Sequence, residues 1–352
     1  MFRKRENLLV GLDIGSSCVK MVQVEAHNGS IRARSLGLVP LPADAFLEGR
    51  LKKSEPVVAA IQQLASHLRL KEKSVAASIP GYEVMIKKIG LPMMTEVELD
   101  NRMQAELGQY IPYNLEEVDV DYQVLDISKD RPNYMDVLLV AAKKESINDY
   151  VDIIRQAGLD PMVVDVDFFA LGNAFEATHG LDEDNVALLD IGASKAILNI
   201  IHRSVPLFTR GISIGGDQIT AVIQERFNVS REEAEQAKLS GASEKFPVHE
   251  LEEIFVGTVG NWVSEFKRAI NFYYTNFPEN RVGKIFLSGG SCRIPGLDKV
   301  FQENMDTDVE VKLFNPFKQL TYDARVFDSA YLDYIGPQMA ISLGLALRKI
   351  GK

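Results

Sequence analysis

The sequence contains no run of about 18 uncharged apolar residues that could cross a bilayer. Its early apolar stretch, residues 8–12, follows a basic start but is cut by Asp13 before it could serve as a secretory core. A place in the cytosol is therefore expected. Cysteine is almost absent: Cys18 and Cys292 are too few and too isolated for a disulfide framework or a zinc site, and suit a reducing compartment as small buried side chains. Positive charge is in deficit as well. With 39 Lys and Arg against 49 Asp and Glu, the formal net charge of −10 opposes generic binding to nucleic acid or anionic lipid, so partners should be proteins or small molecules. The short basic start, Arg3, Lys4 and Arg5 followed by Glu6, reads as a solvated tail, with contact to a membrane surface as the alternative. Low-complexity segments and long linkers are missing too. What remains is ordinary globular material, 46% apolar and 25% charged over 352 residues, enough for two domains or one large two-lobed one.

The most informative feature present is an internal echo. Gly11-Leu12-Asp13-Ile14-Gly15-Ser16-Ser17 returns as Leu188-Leu189-Asp190-Ile191-Gly192-Ala193-Ser194, and each copy ends one apolar strand and begins another. The β-branched runs predict hairpins over 8–13 with 19–25 and over 186–190 with 195–202, as expected of a duplicated domain. Between them, Thr95 with Glu98 forms a capping box before a helix that Pro112 must end, and a second helix is expected over 146–158, closed by Gly158. With strands over 118–127 and 135–142, the segment 81–157 reads strand, helix, strand, strand, helix, a small inserted subdomain. Further on, Ser230 with Glu233 opens a helix closing near Gly241, a longer helix spans 251–274, and a strand over 284–287 runs into Gly289-Gly290. The last segment, 337–350, with Met339, Leu343, Leu347 and Ile350, reads as a terminal amphipathic helix.

Aspartate, glycine and serines at a hairpin tip suit a phosphate: Gly15 lets the backbone approach an anion while Ser16 and Ser17 supply donors. A carboxylate beside phosphates needs a cation between them, so Asp13 is read as holding Mg²⁺, through water, and Lys20 as a point charge for a phosphate. Alone, the motif is weak and reads better as a plain hairpin turn. The second copy, Gly192, Ala193 and Ser194 after Asp190, lets two loops clasp one polyphosphate with the two aspartates sharing its metal. Gly215-Gly216-Asp217 offers backbone amides at a helix start, or only a glycine turn. Gly289, Gly290 and Ser291 follow the apolar strand Ile285-Phe286-Leu287, and Arg293-Ile294-Pro295-Gly296 comes next, backbone that could press against a nucleoside.

These four elements, in this order, resemble the actin, Hsp70 and sugar-kinase superfamily: its first phosphate motif matches 13–20, its second 188–194, its adenosine motif 285–296 and its connecting helix 167–174. The resemblance implies an α/β fold of actin-like (ribonuclease H-like) type, duplicated and two-lobed, that binds ATP with Mg²⁺. It also gives Glu235 and Lys238 a place bordering the adenosine and Ile294 one near the adenine face. Read without it, the first two are solvated helix charges and the third a buried aliphatic. An insert at 81–157 is similar to that of the FtsA and PilM branches rather than that of actin and MreB. The implied layout is a first lobe over 1–80, 158–182 and 328–352, an FtsA-type inserted subdomain over 81–157, a second lobe over 183–218 and 283–327, and its subdomain over 219–282.

Within that branch the similarity to the PilM family of type IV pilus assembly covers nearly the whole chain, including Ile79-Pro80-Gly81, Ala141-Ala142-Lys143, Gly158-Leu159 with Val164-Asp165, and Gly344-Leu345-Ala346-Leu347-Arg348. FtsA normally ends in a membrane-tethering helix, whereas this chain stops at Lys352, which favours PilM. The resemblance implies a cytoplasmic scaffold, peripheral to the inner membrane through its partner, that captures the N-terminal cytoplasmic peptide of PilN and links it to the pilus assembly ATPase machinery. Membrane contact would be indirect, nucleic acid is not expected, and self-association stays open. Hydrolysis wants a residue orienting water where the connecting helix opens; Asp167 stands there in place of the usual Gln or Glu, one methylene shorter, so the expectation is at most a slow ATPase. An N-cap is the other reading of Asp167. A polymerising actin-like ATPase and a sugar or acetate kinase are the competing classes, the latter without an acceptor-pocket signature.

Overall fold

The computed structural model describes residues 9–27, 30–47, 49–127, 132–241 and 243–349, so the basic start lies outside the described residues. Its chain forms two units, one of residues 1–78 with 154–352 and one of residues 79–153. In the first unit, β1 (Val10–Ile14), β2 (Cys18–His27) and β3 (Ser30–Pro40) run as an antiparallel meander. The short pair β4 (Phe46–Leu47) and β5 (Arg50–Leu51) leads to α1 (Ser54–His67) and then to β6 (Ser74–Ile79), which returns parallel to β1. With β10 (Asp160–Val166) the sheet order is β10-β6-β1-β2-β3. Buried on both faces, Val10-Gly11-Leu12-Asp13-Ile14 is the central strand that its unbroken apolar character suggests, interrupted by one buried carboxylate.

The second sheet repeats the plan. β11 (Asn185–Ile191), β12 (Ala196–His202) and β13 (Val205–Ile212) form the meander, β14 (Val282–Ser288) returns parallel to β11, and β15 (Glu310–Leu313) completes the order β13-β12-β11-β14-β15. Between β13 and β14 come α5 (Gly216–Phe227), α6 (Arg231–Ser240) and α7 (Val248–Asn276). Trp262, Phe266 and Tyr273 of α7 are fully buried in one core with the sheet residues Leu189, Leu198 and Leu287. Ser230 and Glu233 make the expected reciprocal cap on α6. The sheets are bridged by α4 (Asp167–His179), whose Phe175 packs edge-on against Phe286 and Phe314 at ring distances of 4.9 and 5.6 Å.

The second unit contains β7 (Val84–Pro92), α2 (Glu96–Tyr110), β8 (Val118–Ile127), β9 (Tyr134–Lys143) and the start of α3 (Lys144–Gln156), in the element order expected. Its sheet runs β7-β9-β8, α2 carries the Thr95–Glu98 capping box, and Leu99, Met103, Val137 and Leu139 supply a core of its own. Gly158 follows α3 with φ of +84°, a conformation that only glycine adopts cheaply.

Two expectations are corrected. A terminal amphipathic helix does not form: residues 336–339 make a 3₁₀ turn, and α10 (Ala340–Ala346) is buried at all seven positions. Its small residues lie on two opposite sides, Ala340 with Gly344 and Ser342 with Ala346, and let α10 pack against both α4 and β1, so no solvent side remains; Ile350 lies outside the described residues. Of the two cysteines, Cys292 is buried but Cys18 is only half-buried, at a loop edge.

Arg348, just past α10, donates from Nε to Asp165 Oδ2 at 2.7 Å. Burial pushes the Asp165 carboxyl above its ordinary range, with Arg348 and the Val166 amide opposing. Because the native state holds this proton to higher pH than the unfolded chain, the contribution to stability is full below the ordinary carboxylate pKa and is lost as pH rises through the native value. Arg348→Met should cost ~2 kcal/mol at neutral pH, since the buried charge loses its partner while the departing guanidinium was itself partly solvated. The pH-dependent loss should also extend upward. Urea unfolding from about pH 4 to about pH 8 checks both, and a variant with the wild-type profile would contradict them.

Candidate functional site

The two echoed motifs fold into the same turn. Between the paired residues Ile14 and Val19, the Gly15 amide donates to the Cys18 carbonyl at 3.1 Å; between Ile191 and Ala196, the Gly192 amide donates to the Lys195 carbonyl at 3.0 Å. A Cβ on Gly192 would lie 2.9 Å from that carbonyl oxygen, which makes glycine the residue for this corner. The tips meet: Ser194 Oγ donates to Ser16 Oγ at 2.9 Å. Ser17 is exposed beside them.

Behind the tips, Asp13 and Asp190 are buried at the ends of matching central strands. Lys20 Nζ donates to Asp13 Oδ2 at 2.6 Å, and Ser288 Oγ donates to Asp190 Oδ2 at 2.8 Å. Burial pushes the Asp190 carboxyl up to about 6; Lys20 and the Ser288 hydroxyl pull against this, and Asp13 adds to it. Lys20 is shifted upward: burial disfavours its ammonium, but Asp13 first and then Cys18 and Asp190 outweigh that cost. Among the described residues no group of three or more His, Cys, Asp or Glu could hold a metal. Two carboxylates are a poor cage for a bare ion, yet they fit Mg²⁺, which keeps most of its water and takes further oxygens from phosphates.

The second loop is also the point on which the other motifs converge. The amides of Gly216 and Asp217 donate to the carbonyls of Gly192 and Ala193 at 3.0 and 2.9 Å, so the start of α5 is tied to the loop and does not present these two amides to an anion, as the sequence suggested. A Cβ on Gly215 would lie 2.3 Å from the Ala193 oxygen. Gly289, with φ of +92°, leaves no room for a side chain either: its Cβ would lie 2.4 Å from the Ile191 oxygen. Ser291 Oγ donates to the Gly192 carbonyl at 2.9 Å from the 3₁₀ turn that Gly290 opens, and Ile294 is buried behind it.

Glu235 and Lys238 are not solvated helix charges. Lys238 is 6% exposed and donates to Glu235 Oε1 at 2.7 Å, Thr220 Oγ1 at 2.9 Å and the Gly216 carbonyl at 3.2 Å. Burial holds its pKa below the ordinary lysine value despite Glu235, while Glu235, against the penalty of its own burial, is held down by Lys238 and Thr220. Three acceptors around one ammonium satisfy a charge that would otherwise be costly to bury. Gly216 joins this cluster to the loops, for a Cβ there would lie 2.9 Å from Ser291 Oγ and 3.1 Å from Lys238 Nζ.

Asp167 is the first helical residue of α4, not its N-cap; Val166 takes that place without a side-chain bond. The Asp167 carboxylate accepts from the Phe168 amide at 2.7 Å, and Asn199 Nδ2 holds the Phe168 carbonyl at 2.9 Å. Thr220 and Asn199 give no signal in the sequence, and Ser288 stands there only as part of the strand-to-glycine motif 285–291, without a role of its own.

The family described as type IV pilus assembly protein PilM matches residues 11–350. Among curated proteins, the cell division protein FtsA of Streptococcus pneumoniae is 24% identical over 356 residues, 89% of this chain and 76% of that protein. FtsA of Bacillus subtilis is 22% identical over 348 residues, 86% and 78% of the two chains. Among solved structures, a chain of a PilM-PilN type IV pilus biogenesis complex aligns with a TM-score of 0.83 at 25% identity, covering 99% of this chain and 100% of that one. The ethanolamine utilization protein EutJ from Carboxydothermus hydrogenoformans shares the fold, with a TM-score of 0.58 at 14% identity over 99% and 91%.

Proposed function

The chain belongs to the type IV pilus assembly protein PilM family, and from that premise we propose that it is a nucleotide-loaded scaffold which binds MgATP at its paired loops and holds the N-terminal cytoplasmic peptide of a PilN-type membrane protein. Its fold is the actin-like α/β fold with two mixed five-stranded sheets. The observation that carries the nucleotide reading is the convergence on Ile191-Gly192-Ala193-Ser194 of the Ser16 loop, the start of α5 and the Gly289–Ser291 turn.

In this reading Asp13 and Asp190 hold the metal's water shell, and Lys20 exchanges its bond with Asp13 for one with a phosphate. Ser16, Ser17, Ala193 and Ser194 line the polyphosphate, Glu235 and Lys238 border the ribose, and Gly290 and Ile294 lie along the base. The bound Mg²⁺ supplies charge neutralisation between the phosphates and the two carboxylates. Asp167 keeps its carboxylate on the Phe168 amide, which supports slow turnover at most and a role in which occupancy, not hydrolysis, is the working state. Among the described residues no helix is long and apolar enough to cross a membrane. Attachment through PilN, with onward contact to the assembly ATPase, accounts for a place at the inner membrane.

The single tryptophan makes the test direct. Trp262 is fully buried and donates to Gln218 Oε1 at 2.6 Å, on the helix that Gly216 starts. Saturable change in its fluorescence on adding MgATP, ATP released on denaturing the purified protein, and saturable binding of a synthetic PilN N-terminal peptide are the expected results. A flat titration, an empty protein and no peptide binding would sink the proposal.

A further inference from the structure

Five buried side-chain nitrogen or oxygen atoms lack a hydrogen-bond partner among the described residues, and two of them, Arg293 Nε and Gln338 Nε2, belong to segments that meet at the Gly289-Gly290 turn. Arg293 has other company, its guanidinium lying 5.0 Å from the Tyr334 ring centroid. Gln338 is 5% exposed and its amide nitrogen is bonded to nothing. A Cβ placed on Gly290 would stand 3.6 Å from Gln338 Oε1, so this amide group adjoins the turn.

The 3₁₀ segment that carries Gln338 is fastened along its length. The Pro337 carbonyl accepts from the Gly289 amide at 2.9 Å, and the Met339 carbonyl from Ser342 Oγ at 3.0 Å. Gly336 presses on Asn315 so closely that a Cβ there would lie 2.0 Å from Asn315 Oδ1, and Asn315 in turn donates to the Leu332 carbonyl at 3.1 Å. The same segment touches β2, which begins at the first phosphate loop. Gln338 thus stands where the first sheet meets the glycine turn of the second.

A primary amide nitrogen buried without an acceptor is a donor awaiting one. We propose that Gln338 is a ligand of the bound nucleotide, its Nε2 donating to a nucleotide oxygen beside the Gly289-Gly290 turn; this rests on the nucleotide reading above.

The test compares wild type with Gln338→Met, close in volume but without the amide, and Gln338→Glu, which puts a carboxylate where the donor was. Each is read by Trp262 titration with MgATP and MgADP and by melting without nucleotide. Expected are a nucleotide-free melting temperature for Gln338→Met equal to or above wild type, roughly 10- to 100-fold weaker binding of both nucleotides, and a further loss in Gln338→Glu. Unchanged affinity with a lowered melting temperature would overturn the assignment, since the amide would then serve the fold. If wild type itself gives no titration, the nucleotide reading fails first and takes this assignment with it.

Discussion

Asp190→Asn should abolish tight, magnesium-dependent ATP retention without weakening the empty protein. Asparagine can still accept from Ser288 Oγ, and Lys20 keeps its 2.6 Å bond with Asp13, so local packing survives. The substitution removes a carboxylate that burial already disfavours, its pKa standing at about 6, so the melting temperature without nucleotide should stay level or rise. Bound MgATP changes the sign. A metal and several phosphate charges then face the position where the carboxylate was, and its loss should cost ~3 kcal/mol, on the order of 100-fold in affinity. Binding by titration and melting with and without MgATP separate the two effects. Wild-type retention in the variant would mean that Asp190 holds no metal and that its burial needs another explanation.

The largest effect on folding is expected from a change of one methyl group, Gly344→Ala. The new Cβ would lie 1.7 Å from the Ala170 carbonyl oxygen, whereas a comfortable carbon–oxygen contact needs roughly 3.3 Å, and both partners are backbone. Gly11 bears the reciprocal approach on the strand side, where a Cβ would meet the Ser342 oxygen at 1.9 Å. Helix α10 therefore has no direction in which to retreat, and the cost should reach about 4 kcal/mol or more, enough to threaten folding. Gly257→Ala is the control: it is exposed on α7, nothing stands within 4 Å of its Cβ, and helix propensity alone should raise stability by roughly 0.5–1 kcal/mol. Thermal melts of the two variants should move in opposite directions. Gly344→Ala melting like wild type would show that α4 and α10 are not packed this tightly.

Features that depend on neighbouring residues were legible in the sequence. The paired turns at Gly15 and Gly192, the capping boxes at Thr95 and Ser230 and the element order of the insert are all written in residues a few positions apart, and the structure shows each. Features that depend on what lies across the core were not. Apolar residues spaced at 339, 343 and 347 implied one buried face, but the intervening small residues are buried as well, because they admit α4 and β1 at close range. Lys238 stands in a helix rich in glutamate, and nothing local distinguishes it from a solvated lysine; its burial follows from Thr220 and Gly216, which the fold brings from another helix. Gln338 gave no signal at all, since what marks it is the absence of a partner in a folded interior.

The route of the chain around residues 79–153 has a bearing on how such proteins diversify. The excursion begins as β6 ends and its last helix leads into β10, and β6 and β10 are neighbours in one sheet. The Asp160 amide closes on the Lys73 carbonyl at 2.8 Å, so the parent sheet is stitched together by residues outside the excursion. A lineage can therefore lengthen, reshape or exchange that cassette, which has its own apolar interior, while the registers that align Asp13 and Asp190 go untouched. The cassette and the paired loops can then diverge at different paces.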